Sequence, residues 1–319
     1  TRWHYHPGAT GEDAGQPGNR MTLTLSLLLL ACANVAGPRV TAQVRDVPVA
    51  PGETVRVSVE GTGRPIVLVP GLFGSAFGYR KVIEPLVRAG YRTIVVEPLG
   101  TGWSGHPPTA DYSLTAQAGR LATVLDRLRV TRALVVAHSV GTSIALRLAL
   151  ARPELVAGVV SIDGGPAESA ATPGVQSAMR YAGLLRLFVD RAAVERRVRD
   201  GMIRNSGDTT WVTDSVVRGY SAGFARDPGA SIDALRAMAD TREPEPLAPR
   251  LPRIRVPVRL LLGTAPHGTA VSAAEVAELE AALPDFSVER IAGAGQYIQE
   301  ERPAAVVAAC RRLAGGAAP

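Results

Sequence analysis

The chain has 319 residues, 46% of them hydrophobic, which is enough to bury a large core and excludes disorder as the default state. Its formal charge of +6 comes almost wholly from arginine, Lys81 being the only lysine. No basic stripe interleaved with aromatics accompanies that charge, so nucleic acid is set aside as a partner.

In chain order, residues 1–20 are rich in Gly, Pro and polar side chains and carry no periodic pattern. Leu23 to Ala31 then forms a leucine-rich run after Arg20 and Met21. It is too short to span a bilayer and has the length of a signal-peptide core, with Met21 the expected start. The run ends Leu29-Leu30-Ala31-Cys32, the form of a bacterial lipobox. Two readings stand: lipidation of Cys32 with export to the cell envelope, or an ordinary cleaved signal with secretion. Residues 1–32 are therefore separated from the fold. Cys310, in an Ala/Val-rich final segment, is expected to be a buried small hydrophobe.

From Gln43 to Glu60 the pattern predicts two strands around Ala50-Pro51-Gly52-Glu53. Short β-branched runs follow at 65–69, 93–96, 133–137, 156–162 and 256–262, mostly separated by amphipathic stretches at 79–89, 114–128 and 140–150. Strands buried on both faces and alternating with helices predict a parallel α/β sheet. Between Asp163 and Val256 lie about ninety residues, far more than a crossover requires. Helical patterns at 175–189, 191–205, 213–225 and 230–239 fill this gap, and Leu184, Leu185, Leu187, Phe188 and Trp211 offer an apolar wall. The expected organisation is a core over 43–165 and 251–315 with a helical cap over 166–250. A last strand at 286–291 and a last helix at 301–313 complete the pattern.

Ala137-His138-Ser139-Val140-Gly141 has the form G-x-S-x-G with Ala for the first Gly. Small residues flank Ser139 because a tight strand-to-helix turn is needed to lift its hydroxyl above the sheet edge. The competing role for Ser139 is a polar helix cap. With this pentapeptide, Val69-Pro-Gly-Leu-Phe-Gly-Ser75 and Glu97-Pro-Leu-Gly-Thr-Gly-Trp-Ser104, the chain resembles the α/β-hydrolase fold superfamily over residues 43–315. The resemblance implies an eight-stranded, mostly parallel sheet with a cap inserted after strand 6. It also implies an oxyanion hole from the backbone N–H of Val140 and that of Leu72 or Phe73.

The departures from the family are as informative as the matches. Gln296 stands where the resemblance implies the catalytic histidine, and a carboxamide cannot take and return a proton near neutral pH. The loop that implies the acid, Leu262-Gly-Thr-Ala-Pro-His-Gly-Thr269, has no carboxylate. Past the signal run only His106, His138 and His267 remain. His138 is read as structural, His106 as a rim residue, and His267 as the relocated base. Asp163, with Glu275 as a second choice, is the orienting acid; capping of the following turn is the other role open to Asp163. Glu168 is read as a solvated carboxylate near the site. Gln296, His138 and Trp103 are assigned to the pocket. No metal cluster or phosphate loop is found, so no metal and no cofactor is expected. The expected function is a serine hydrolase acting on a small ester or related acyl substrate. The alternative is a degenerate member of the fold that binds a small apolar ligand at the envelope.

Overall fold

The computed structural model describes residues 42–171, 173–183 and 190–315. The export run, Cys32 and the wall residues Leu184, Leu185, Leu187 and Phe188 lie outside the described residues. Among the described residues no helix is long and apolar enough to cross a membrane.

Eight strands form one sheet in the order β1-β2-β4-β3-β5-β6-β7-β8. They are β1 (Gln43–Ala50), β2 (Glu53–Glu60), β3 (Arg64–Val69), β4 (Tyr91–Val96), β5 (Ala133–His138), β6 (Val156–Ile162), β7 (Val258–Gly263) and β8 (Phe286–Ile291). The first two pairings, β1 with β2 and β2 with β4, are antiparallel, and every later one is parallel. All six residues of β5 are buried, as its unbroken apolar run requires of a strand covered on both faces. Alternation along β3 divides the core. Val67 and Val69 enter the larger cluster with α2 (Leu114–Arg127) and α3 (Gly141–Ala151), while Ile66 and Leu68 enter the other with α1 (Arg80–Arg88) and the C-terminal helix.

Between β6 and β7 the chain makes α4 (Pro173–Met179), α5 (Arg191–Arg204), α6 (Asp214–Arg226) and α7 (Pro228–Asp240). The last three match the sequence pattern to within a few residues, because Asp190, Thr213 and Asp227 each accept a backbone N–H three residues on and fix where a helix starts. The insertion is tied to the sheet layers on two sides. On one side, buried Arg147 of α3 meets Glu243 at 3.1 Å and Glu168 at 2.6 Å, and Glu243 also accepts the N–H groups of Leu114 and Thr115 at the start of α2. Glu168 further accepts the Leu247 N–H at 2.5 Å, so this carboxylate, exposed as expected, is also a structural tie. On the other side, Trp211 and Tyr220 pack their rings against Tyr297, and the Tyr220 hydroxyl donates to buried Glu300 at 2.9 Å.

After β7 comes α8 (Ala273–Ala282), a helix the periodicity did not reveal because its residues are mostly Ala and Glu with little apolar contrast. The expected C-terminal helix at 301–313 is α10 (Pro303–Leu313), and a short α9 (Ile298–Glu301), not expected from the pattern, precedes it. Arg302, at φ −140°, breaks them, since the residue before a proline is driven out of the helical region. Cys310 is fully buried in α10, and burial pushes its thiol up to about 12.

The half-sheet below the site rests on side chains such as Leu68, which is fully buried in β3. Leu68→Ala is expected to lower unfolding free energy by about 3 kcal/mol, read as a shift of the urea midpoint with an unchanged slope.

Candidate active site

Parallel pairing brings the C-terminal ends of β5, β6, β7 and β8 to one edge of the sheet. His138 ends β5 opposite Ile162 of β6, so the next residues, Ser139 and Asp163, leave the sheet side by side. Their backbones match: Ser139 has φ 52° and Asp163 φ 47°. Each stays in the sheet's bonding pattern, Ser139 N–H donating to Ile162 O and Asp163 N–H to Leu261 O, both at 2.9 Å. Left-handed backbone costs a side-chain-bearing residue about 1 kcal/mol or more, and here it aims both side chains outward from the edge. Space is correspondingly short around the turn. A Cβ on Gly164 would collide with the Ser139 carbonyl oxygen, and one on Gly141 would lie 2.8 Å from the Val69 carbonyl oxygen.

Phe73 is a third non-glycine residue with positive φ, at 63°. Its loop lies against the serine, since a Cβ on Gly71 would lie 3.1 Å from Ser139 Cβ. Within this loop Gly74 N–H closes a turn on Gly71 O at 2.9 Å, while Leu72, Phe73 and Val140 donate to no carbonyl among the described backbone hydrogen bonds. Uncommitted N–H groups beside a lifted hydroxyl are what stabilisation of a developing oxyanion requires.

Gln296 Nε2 donates to Ser139 Oγ at 3.3 Å. The glutamine is held from its backbone as well, its N–H donating to Asn205 O at 2.8 Å and its carbonyl lying 3.1 Å from His138 Nε2. A carbonyl only accepts, so the proton of neutral His138 is on Nε2. Burial pushes His138 down to about 4, the Gln296 carbonyl opposing, which leaves the ring neutral near pH 7. This ring packs against Tyr297 at 5.6 Å and supports the loop beneath the serine.

His267 turns its side chain inward from the loop after β7 and places Nε2 3.4 Å from Asp163 Oδ2, with both side chains fully covered. At that separation neither oxygen of Asp163 nor Nε2 of His267 has a well-formed hydrogen bond. Burial raises Asp163 to about 7; the charge of Glu301 adds to this and the N–H of Gly263 works against it. Burial lowers His267 below the ordinary imidazole value. Both shifts favour the uncharged forms, a protonated carboxyl facing a neutral ring.

The edge thus brings together Ser139 with Gln296, and Asp163 with His267. The hydrogen bond to Ser139 Oγ among the described residues comes from Gln296, not from His267. Glu275 is not an orienter of His267: its carboxylate accepts from the N–H and hydroxyl of Ser272, closing the capping box that starts α8. His106 is half-buried, and Trp103 is 37% exposed. Three carboxylates that sequence reasoning passed over hold the loops in place. Buried Glu97 accepts the N–H groups of Ala76 at 2.9 Å and Trp103 at 2.6 Å, joining the loops after β3 and β4. Glu301 accepts those of Gly207, Asp208 and Gly295, while Glu300 pairs with Arg80 and Lys81. The available signal was an acidic residue next to a Gly-rich loop, in Glu97-Pro-Leu-Gly and in Gly295-Gln-Tyr-Ile-Gln-Glu-Glu301.

The family model described as alpha/beta hydrolase fold matches residues 64–303. The chain is 34% identical over 242 residues to the magnesium-chelatase 30 kDa subunit of Rhodobacter capsulatus, covering 75% of this chain and 82% of that protein. It is 25% identical over 260 residues to the sn-1-specific diacylglycerol lipase ABHD11 of Xenopus laevis, covering 75% and 76%. Among solved structures, the epoxide hydrolase CorEH superposes with a TM-score of 0.71 at 15% identity, over 86% of this chain and 98% of that one. At that identity the superposition speaks for the fold alone.

The position of Asp163 has a consequence for stability. A carboxyl raised to about 7 by burial stabilises the fold most below the ordinary value near 4, and that contribution is lost as pH rises through about 7. Asp163→Asn removes the loss, so the variant is expected to gain thermal stability over the wild type at pH 8 and to lose that advantage toward pH 4. An equal difference in Tm at both pH values would show that the carboxyl titrates normally.

Proposed function

This chain belongs to the α/β-hydrolase fold family, and on that premise we propose that it is a hydrolase whose nucleophile is Ser139, acting on a small ester or related acyl compound. The observation that carries this reading is the left-handed Ser139 at the β5–α3 junction, next to Val140 and close to the Leu72–Phe73 loop, whose N–H groups are uncommitted. In the proposed reaction Ser139 Oγ adds to the acyl carbon while its proton passes to His267. The carbonyl oxygen, now negative, is held by the N–H of Val140 and that of Leu72 or Phe73. His267 returns the proton to the leaving oxygen as the carbon–oxygen bond breaks, and a water molecule repeats the sequence to free the acid. Asp163, raised by burial to about 7, supplies a balancing negative charge only when it gives up its own proton as His267 gains one. Gln296 donates to Oγ and so leaves the serine's own proton free to point elsewhere; it positions the nucleophile without activating it. Reaching Oγ requires His267 to swing from Asp163, and the loop Gly263-Thr-Ala-Pro-His-Gly268 supplies glycines on both sides of it.

A second reading has its own support. The Gln296–Ser139 bond suits a site that holds a ligand without reacting, and the Rhodobacter capsulatus relative is named for a chelatase and not for hydrolysis. On this reading the chain is a non-catalytic binder of a small apolar ligand that works beside a chelatase. Under either reading we propose export to the cell envelope, on the strength of the Leu23–Ala31 run and Cys32.

Labelling with a fluorophosphonate, located by mass spectrometry, separates the two. The expected result is labelling of Ser139 that is lost in Ser139→Ala and falls at least tenfold in His267→Ala. Wild type that stays unlabelled sinks the nucleophile reading in favour of the binder. Gln296→His, which puts an imidazole beside Oγ, is expected to raise the labelling rate about a hundredfold above pH 7.

A further inference from the structure

Two of the five exposed large apolar side chains among the described residues, Phe73 and Trp103, are on adjoining loops near the serine. Phe73, 41% exposed, is on the loop that touches Ser139, and its ring centroid is 6.2 Å from that of Phe224 on α6. Trp103, 37% exposed, is on the loop after β4. That loop adjoins the first: a Cβ on Gly102 would lie 3.2 Å from Gly74 O, and one on Gly223 of α6 would collide with Gly102 O. The three segments therefore pack against one another, and the surface they share is called the mouth.

At the last turn of α6 stands Arg226, exposed, with its guanidinium carbon 5.5 Å from the Trp103 ring centroid. Among the described residues it has no carboxylate partner, and the neighbouring Asp227 is engaged in capping α7 through the Ala230 N–H at 2.9 Å. A guanidinium laid over an indole keeps its N–H donors free in its own plane, where a carboxylate binds with two parallel hydrogen bonds. His106 adds no second positive charge, since burial and the nearby Arg226 hold it below the ordinary imidazole value. The mouth thus offers apolar walls and a single positive group, Arg226, that forms no ion pair among the described residues, although the capping carboxylate of Asp227 is its neighbour in sequence.

We propose that this mouth selects acyl compounds with an apolar body and a free carboxylate at the far end of the acyl chain, the body lying against Phe73 and Trp103 and the carboxylate on Arg226. The proposal rests on the reading of the Ser139 site as one that accepts small acyl compounds, whether or not it cleaves them.

Its test compares the mono-4-nitrophenyl esters of succinic, adipic and suberic acid with the 4-nitrophenyl esters of butyric, hexanoic and octanoic acid, matched in chain length. Wild type is expected to favour the carboxylate-bearing ester in kcat/KM by roughly three- to tenfold at the best length. The ratio should fall toward one in Arg226→Ala and in about 0.5 M salt, with part of it regained in Arg226→Lys. A ratio that Arg226→Ala leaves unchanged at all three lengths overturns the proposal. If no ester is turned over, the same ratio is read as binding, from tryptophan fluorescence with monomethyl adipate against methyl hexanoate. Arg226-dependent preference without turnover would retire the nucleophile reading and keep this one; turnover with no Arg226 dependence would do the reverse, and equal binding of both compounds overturns the proposal.

Discussion

Parallel pairing of β5 between β3 and β6 is the constraint on which the rest of the site depends. It aligns the carboxyl ends of neighbouring strands, so residues far apart in sequence leave the sheet at one edge. Ser139 and Asp163 are neighbours only because His138 and Ile162 are in register. A slip of one residue would send each side chain to the opposite face. The strain of the two left-handed turns is held by that register and by the close-packed glycines around them, and the core below supplies the stability that tolerates it.

Burial of charge is the second organising force. Glu97, Glu243, Glu300 and Glu301 are covered acids, and each is answered by several N–H groups or by arginine, lysine and tyrosine. A buried carboxylate without such partners would be strongly destabilising, whereas one that gathers backbone donors from separate loops fixes those loops together. Asp163 is the exception. Its oxygens lack well-formed bonds, and burial raises it to about 7 at the sheet edge beside Ser139.

The core was legible because its signal is strong. Apolar runs buried on two faces predict parallel strands, and side-chain caps such as Asp190 and Thr213 mark helix starts with little ambiguity. Ser139, Gln296 and the pairing of His267 with Asp163 could be anticipated from the elbow motif together with the loop positions that the resemblance to the family implies. The rest could not. Helix α8 has too little apolar contrast to show in a periodicity, and the break at Arg302 is a local effect of Pro303. Glu275 and Glu168 are acids whose partners, Ser272 and Arg147, are chosen by packing; sequence placed them near the site without revealing that each was already engaged. The bond between Gln296 and Ser139 is made across a sequence separation of 157 residues and depends on Asn205 in the insertion, which no short window contains.

The two walls of the mouth are carried by different kinds of chain. Phe73 and Trp103 belong to loops of the sheet domain that Glu97 joins and that carry the uncommitted N–H groups of Leu72 and Phe73, so changing them disturbs the surroundings of Ser139. Phe224 and Arg226 belong to α6, in a segment joined to the rest through ion pairs, an aromatic cluster and backbone hydrogen bonds such as those at Asn205, Gly207 and Asp208. The molecule thereby separates the part that must be conserved in shape from the part that can be rewritten. New ligand preferences can arise by substitution along one face of α6 while the backbone of Ser139 and Asp163 is left as it is.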